Sequence, residues 1–188
     1  YVAKDVAPPI VWEEAMKLGS PATVEGQYSS GTIADIDGDG DLDVAAVVRD
    51  SNCVAIFHQR NPRRVGLHVD PTASTNPEPD IVLSPPESFL EPYFVRGMDL
   101  EGDGRLYLLT TTLTSWTIAL FFQDASGAFP DEPSVLLRDT SIASPRWLEA
   151  ADLDGDGDLD IASANGNGTS LLVFLQREDG GFGPEPRL

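Results

Sequence analysis

Short apolar runs rich in β-branched residues recur along the chain, each too brief for a helix and closed by turn-forming residues. Val44-Ala45-Ala46-Val47-Val48 and Val54-Ala55-Ile56-Phe57 flank Arg49-Asp50-Ser51-Asn52, which has turn composition. Leu106-Tyr107-Leu108-Leu109 is followed by Thr117-Ile118-Ala119-Leu120-Phe121-Phe122. Further on, Ile161-Ala162-Ser163-Ala164 and Leu171-Leu172-Val173-Phe174-Leu175 flank the turn Asn165-Gly166-Asn167-Gly168. Each pair reads as a strand hairpin. Another short segment precedes each pair: Gly31–Ala34, Val95–Met98 and Leu148–Ala151. The small residues in these segments predict strands packed where neighbouring units converge. A more polar strand is predicted over Ser134–Arg138, and Trp12–Leu18 reads either as its counterpart from a preceding unit or as a short helix.

The pattern is an internal repeat. Asp35–Gln59, Asp99–Gln123 and Asp152–Gln176 align without gaps, starting about 64 and then about 53 residues apart. Glycines coincide (Gly38 and Gly40, Gly102 and Gly104, Gly155 and Gly157), as do Leu42, Leu106 and Leu159. Phe57, Phe121 and Phe174 each stand two residues before Gln59, Gln123 and Gln176. The later copies run on in register to Phe129 and Phe182, each close behind a glycine.

Four antiparallel strands in about sixty residues make one blade of a β-propeller. The predicted fold is therefore all-β, with about three blades, either a partial propeller or a ring completed by an oligomer. Residues 1–30 are assigned to the fourth strand of a preceding blade and a linker, and 31–92 to a first blade with an insertion. A second blade covers 93–145 and a third 146–188. The insertion, roughly Arg60 to Asp80, is basic at Arg60, Arg63 and Arg64 and then rich in Pro, Ser and Thr. A loop that long in a compact repeat is either functional or a tolerated insertion.

Charge changes the picture. Acidic residues outnumber basic ones 31 to 12, for a net charge of −19, which argues against nucleic acid or an anionic membrane as partner. No apolar run is long enough to span a membrane. The chain opens on Tyr1 without a leader pattern, and is read as a processed or trimmed piece. Cys53 is the single cysteine and is expected to be a small buried hydrophobe.

The acid is concentrated at Asp35, Asp37, Asp39, Asp41 and Asp43 and at Asp152, Asp154, Asp156, Asp158 and Asp160. Such clusters repel themselves unless a cation lies between them. Asp-x-Asp-x-Asp-Gly-x-x-Asp brings carboxylates from positions one, three, five and nine to one tight turn. Position seven, Asp41 or Asp158, needs to supply only its backbone carbonyl. Gly40 and Gly157 allow the bend, and Leu42 and Leu159 are expected to anchor the loops in the core. Two Ca²⁺ ions are predicted, because calcium takes six to eight oxygen ligands at flexible geometry. An EF-hand would need Glu at position twelve, where Ala46 and Ser163 stand, and a following helix. Magnesium resists such dehydration, and zinc lacks Cys or His ligands in the motif. The middle loop keeps Asp99, Glu101 and Asp103 but has Arg105 at position seven and Tyr107 at position nine. It is predicted to keep its turn, to have its carboxylates partly neutralised by Arg105, and to stay metal-free.

These loops, with Gly-x-Phe ends such as Gly181-Phe182-Gly183-Pro184, resemble FG-GAP/VCBS repeats of bacterial surface proteins and the calcium-loop blades of integrin α-subunit propellers. The resemblance runs from about Gly31 onward. It implies a calcium loop between the first two strands of a blade, on one face of the propeller.

The expectation is thus an extracellular or periplasmic, secreted or cell-surface binding or adhesion module, with structural calcium and no catalysis. Its partner would be a protein or glycan at the cell surface, or further blades. Two alternatives stand beside it: a lectin propeller, and an accessory domain of a larger secreted polysaccharide-active enzyme. For a lectin, Trp12, Tyr93, Trp116 and Trp147 are candidate sugar platforms, although packing between blades is the expected role of these aromatics. No Ser-His-Asp set, zinc site or phosphate-cradling loop occurs, and the paired carboxylates read as metal ligands rather than a glycosidase pair.

Overall fold

A computed structural model describes residues 26–59, 78–85 and 89–182. Among them every regular element is a strand. The first sheet contains β1 (Tyr28–Ala34), β2 (Asp43–Val48), β3 (Cys53–Phe57) and β4 (Ile81–Leu83). The second contains β5 (Pro92–Met98), β6 (Tyr107–Thr112), β7 (Thr117–Phe122) and β8 (Val135–Leu137). The third contains β9 (Pro145–Ala151), β10 (Asp160–Asn165) and β11 (Leu171–Phe174). Each sheet is an antiparallel meander in chain order, the arrangement of a propeller blade. In the third sheet a single bridge between Gln176 and Phe182 follows β11. Strand β4 is too short to stand out in the sequence.

The hairpin strands of the first two sheets are rich in apolar residues because both of their faces are covered. Ile36, Val47 and Ile56 of the first sheet meet Val95, Leu106, Leu108 and Phe121 of the second. On the far side of the second sheet, Leu109, Ile118 and Leu120 meet Leu148, Ile161, Leu172 and Phe174 of the third. Each such side chain contributes about 1.5–3 kcal/mol when fully buried. The units are therefore held largely by packing against one another.

The first strands of the sheets converge, as their small residues predict. Thr32 Oγ1 accepts the Gly97 amide at 3.2 Å, and Ser30 Oγ accepts the Val95 amide at 3.3 Å. A Cβ on Gly97 would already touch Thr32 Cγ2 at 3.4 Å. Arg96 pairs with Glu149 at 3.0 Å, joining β5 to β9.

One expected anchor is displaced. Leu42 is 58% exposed, whereas Leu159 packs half-buried on the core between the second and third sheets and the equivalent Leu106 is buried against the first sheet. This position faces the preceding sheet, and among the described residues no sheet precedes the first. Ile36 and Leu100, inside their loops, are buried and serve as the anchors of the first and second loops. Cys53 is buried as expected, and burial pushes its thiol up to about 11. Trp12–Leu18 and most of the insertion, residues 60–77, lie outside the described residues.

Candidate metal centre

Each acidic loop joins the first strand of its sheet to the second, and its own carboxylates shape the turn. In the first loop Asp35 Oδ1 accepts the Gly38 amide at 2.9 Å and Oδ2 accepts the Gly40 amide at 3.0 Å. Asp37 and Asp39 each accept the amide two residues on, at 3.2 and 2.9 Å. The third loop repeats this. Asp152 takes the Gly155 and Gly157 amides at 2.6 and 3.2 Å, and Asp154 and Asp156 take those of Asp156 and Asp158. Gly40 and Gly157 have φ of +93° and +100°, where a side chain would be strained.

The ninth-position carboxylates differ from the rest in being fully buried. Asp43 Oδ2 accepts the Ile36 amide at 2.8 Å and the Asp37 amide at 3.3 Å, while Oδ1 accepts the Gln59 amide at 2.7 Å. Asp160 holds the amides of Leu153 and Gln176, both at 2.9 Å. These aspartates tie the loop entrance to the exit of the hairpin. That role was not legible in the ligand motif, although the recurring Gln59 and Gln176 mark the partner position.

Within the first loop, carboxylate oxygens of Asp35, Asp37 and Asp39 lie within 4.8 Å of one another. In the third, those of Asp152, Asp154 and Asp160 do so. These groups can hold a cation, and their all-oxygen chemistry fits a hard one. Asp41 and Asp158 stand outside both groups, in keeping with a position that offers only its carbonyl. Desolvation raises the pKa of Asp37 and of Asp154, with neighbouring carboxylates adding to the shift. In both, the hydrogen bond to the amide two residues on offsets only part of that shift.

The middle loop is built otherwise. Asp99 still caps the turn, accepting the Asp103 and Gly104 amides at 3.2 and 2.8 Å. Arg105 Nε donates to Asp103 Oδ2 at 2.7 Å, and its Nη2 reaches Glu101 at 3.5 Å. Hydrogen bonding from Arg105 lowers the pKa of Asp103. The Tyr107 hydroxyl engages Glu101, and its ring packs on Phe122 at 4.4 Å. The Gln123 side chain ties this loop together through other groups. Its Oε1 accepts the Leu106 amide at 2.7 Å, and its Nε2 donates to the Ile36 and Gly127 carbonyls at 2.6 and 2.9 Å.

The aromatic platforms depart from expectation. Trp116 is 51% exposed and Trp147 is 44% exposed, so neither fills an interblade space completely; Trp147 leans on Phe94 at 6.4 Å. Their positions at a hairpin tip and on a sheet's first strand leave one face uncovered. Tyr93 lies under the guanidinium groups of Arg49 and Arg146, at 5.6 and 5.3 Å.

Residues 99–163, from the start of the middle loop to just beyond the third, match the family model of the FG-GAP-like repeat. The chain therefore carries an FG-GAP-like repeat in an all-β fold of blade-like sheets. No curated protein matches it significantly.

Proposed function

We propose that the chain is an extracellular, calcium-stabilised β-propeller module that binds a protein or glycan partner and performs no catalysis. The observation that carries this reading is the pair of buried aspartates, Asp43 and Asp160, each tying a carboxylate-lined loop to its sheet. A cation held there rigidifies the join between first and second strands, which is a structural role. Millimolar extracellular calcium suits loops of this exposure. Calorimetric calcium titration of the chelated protein, with parallel thermal melts, tests it. Two sites and a clear rise in melting temperature are expected, and no binding at millimolar calcium would overturn it.

The exposed rings of Trp116 and Trp147 favour a second reading, in which the partner is a glycan. Tryptophan fluorescence during polysaccharide titration tests this, and Trp116→Ala should remove the response. An accessory domain of a polysaccharide-active enzyme would behave in the same way.

A further blade is the natural cover for the third sheet. Ile36, Val54 and Ile56 of the first sheet, and Leu100, Ile118 and Leu120 of the second, are buried by the next sheet. The third sheet carries Leu153, Leu171 and Val173 at these positions, with Leu153 52% and Leu171 56% exposed.

A further inference from the structure

His58 directly follows β3 and stands beside the first acidic loop. Its Nδ1 is 3.9 Å from Asp37 Oδ2, and a ring nitrogen lies within 4.8 Å of carboxylate oxygens of both Asp37 and Asp43. The backbone holds the imidazole there from both sides. Asp80 accepts the His58 amide at 2.8 Å, and Asp43 accepts the next amide, that of Gln59, at 2.7 Å. The side chain is only 19% exposed, and its Nε2 is buried without a hydrogen-bond partner among the described residues. One nitrogen thus faces a carboxylate, and the other has no hydrogen-bond partner among the described residues.

The position is particular to the first repeat. Phe122 occupies it in the second and Leu175 in the third. The third loop consequently gathers oxygen atoms alone, from Asp152, Asp154 and Asp160, while the first adds an imidazole nitrogen. Calcium takes oxygen ligands, whereas imidazole with carboxylates suits zinc and its transition-metal neighbours. Asp43 Oδ1 accepts one amide and keeps a lone pair free for a cation.

We propose that the first loop is a mixed-ligand site that accepts a divalent transition cation through His58, Asp37 and Asp43, in exchange for calcium, while the third loop does not. This rests on the metal-loop reading only for the two carboxylates that both ligand sets share. The exchange follows from that sharing, because a second divalent cation on the same two carboxylates meets the repulsion of the first at close range.

The test is zinc titration of the whole metal-free chain by calorimetry, on wild type, His58→Leu and Asp154→Asn. Leucine is the residue the third repeat already has at this position. Zinc affinity should fall at least about tenfold in His58→Leu, as it does even when an outer-shell partner is lost, and stay unchanged in Asp154→Asn. Prior zinc should halve the calcium bound by wild type, and His58→Leu should keep its full calcium stoichiometry. Cobalt(II) should give a visible ligand-field band in wild type that His58→Leu lacks. Equal zinc affinity in wild type and His58→Leu overturns the proposal, as does equal dependence on Asp154. Calcium binding at both loops with His58-independent zinc would sink this site and leave the calcium reading intact. His58-dependent zinc without calcium binding would do the reverse, and neither metal binding would overturn both. A metal-free melting midpoint matching wild type shows that His58→Leu is folded; if it is lowered, His58→Asn keeps a polar group in place and repeats the comparison.

Discussion

Asp43 and Gln59 are joined by a 2.7 Å hydrogen bond in which the Gln59 amide donates to Asp43 Oδ1, closing the first hairpin across its open end. The other oxygen of the same carboxylate receives the Ile36 and Asp37 amides at the loop entrance. Asp160 and Gln176 repeat the relationship at 2.9 Å. One buried carboxylate therefore fixes three points of chain at once, before any cation is considered. Where Tyr107 takes this place, the Gln123 amide donates to the Leu106 carbonyl at 3.4 Å, and the Gln123 side chain accepts the Leu106 amide. The ninth position serves the fold as well as the metal.

Separating those roles gives the first prediction. Asp43→Ala strands one buried and two part-buried amides and should destabilise even the calcium-free protein by roughly 3 kcal/mol. Asp39→Ala removes only an exposed turn contact and should leave the calcium-free melting midpoint close to wild type, while abolishing calcium binding at the first loop. Urea unfolding in chelator, alongside calcium calorimetry, distinguishes the two. Equal chelated stability of both variants would contradict the structural role of Asp43.

Gln123 and Gln176 occupy the same repeat position but should not be equally important. Gln123 makes three side-chain hydrogen bonds, one of them to the Ile36 carbonyl in the neighbouring sheet. Gln176 makes one long contact to the Gly180 carbonyl at 3.5 Å, and its Oε1 is buried without a partner. Gln123→Ala should cost about 2–4 kcal/mol, summing its net bonds and the stranded Leu106 amide, and Gln176→Ala markedly less. Denaturant midpoints of the two variants read the difference directly.

Much of this architecture was legible because it is periodic. Ungapped alignment placed the hairpins β2–β3, β6–β7 and β10–β11, since apolar residues recur at matching positions along them; both faces are buried in the first two hairpins and one face in the third. What lay beyond reach depends on neighbours in space. Leu42 and Leu106 are the same residue at the same repeat position, yet one is exposed and the other buried, according to whether a sheet packs on that side. Strand β4 is three residues held by pairing to β3, too short to carry a pattern. His58 went unnoticed as a possible ligand because it sits outside the loop motif and reaches it only through the end of the hairpin.

Glu91 supplies a pH dependence independent of the acidic loops. It sits at φ +51° before β5, accepts from the Thr114 hydroxyl at 2.5 Å, and pairs with Arg49 at 3.2 Å. The Thr114 hydrogen bond, and then Arg49, hold its carboxyl below the usual value of 4.5. A lowered folded-state value means stability present above the unfolded value and lost as pH falls through the folded one. Glu91→Gln should therefore flatten the acid limb of the calcium-free stability curve below about pH 4.5 and leave its slope near neutrality unchanged. Chelated melts between pH 3 and 7 check this, and an identical acid limb in the variant would contradict it.

Val54 and Leu171 occupy one register position in the first and third sheets, and the same substitution should have opposite consequences there. Val54 is fully buried against the second sheet, so Val54→Asp places an unpaired charge in that interface and should unfold the chain or cost well over 3 kcal/mol. Leu171 is 56% exposed on the outer face of the third sheet, and Leu171→Asp should change the stability of the isolated chain by less than about 1 kcal/mol. If a further blade covers that face, Leu171→Asp should instead disrupt assembly. Sedimentation of the chain at rising concentration, with and without the substitution, reads this as a shift toward monomer when the covering blade comes from a second copy. An unchanged distribution in a chain that self-associates would place the contact elsewhere. A chain that stays monomeric at every concentration would mean that a second copy does not supply the covering blade.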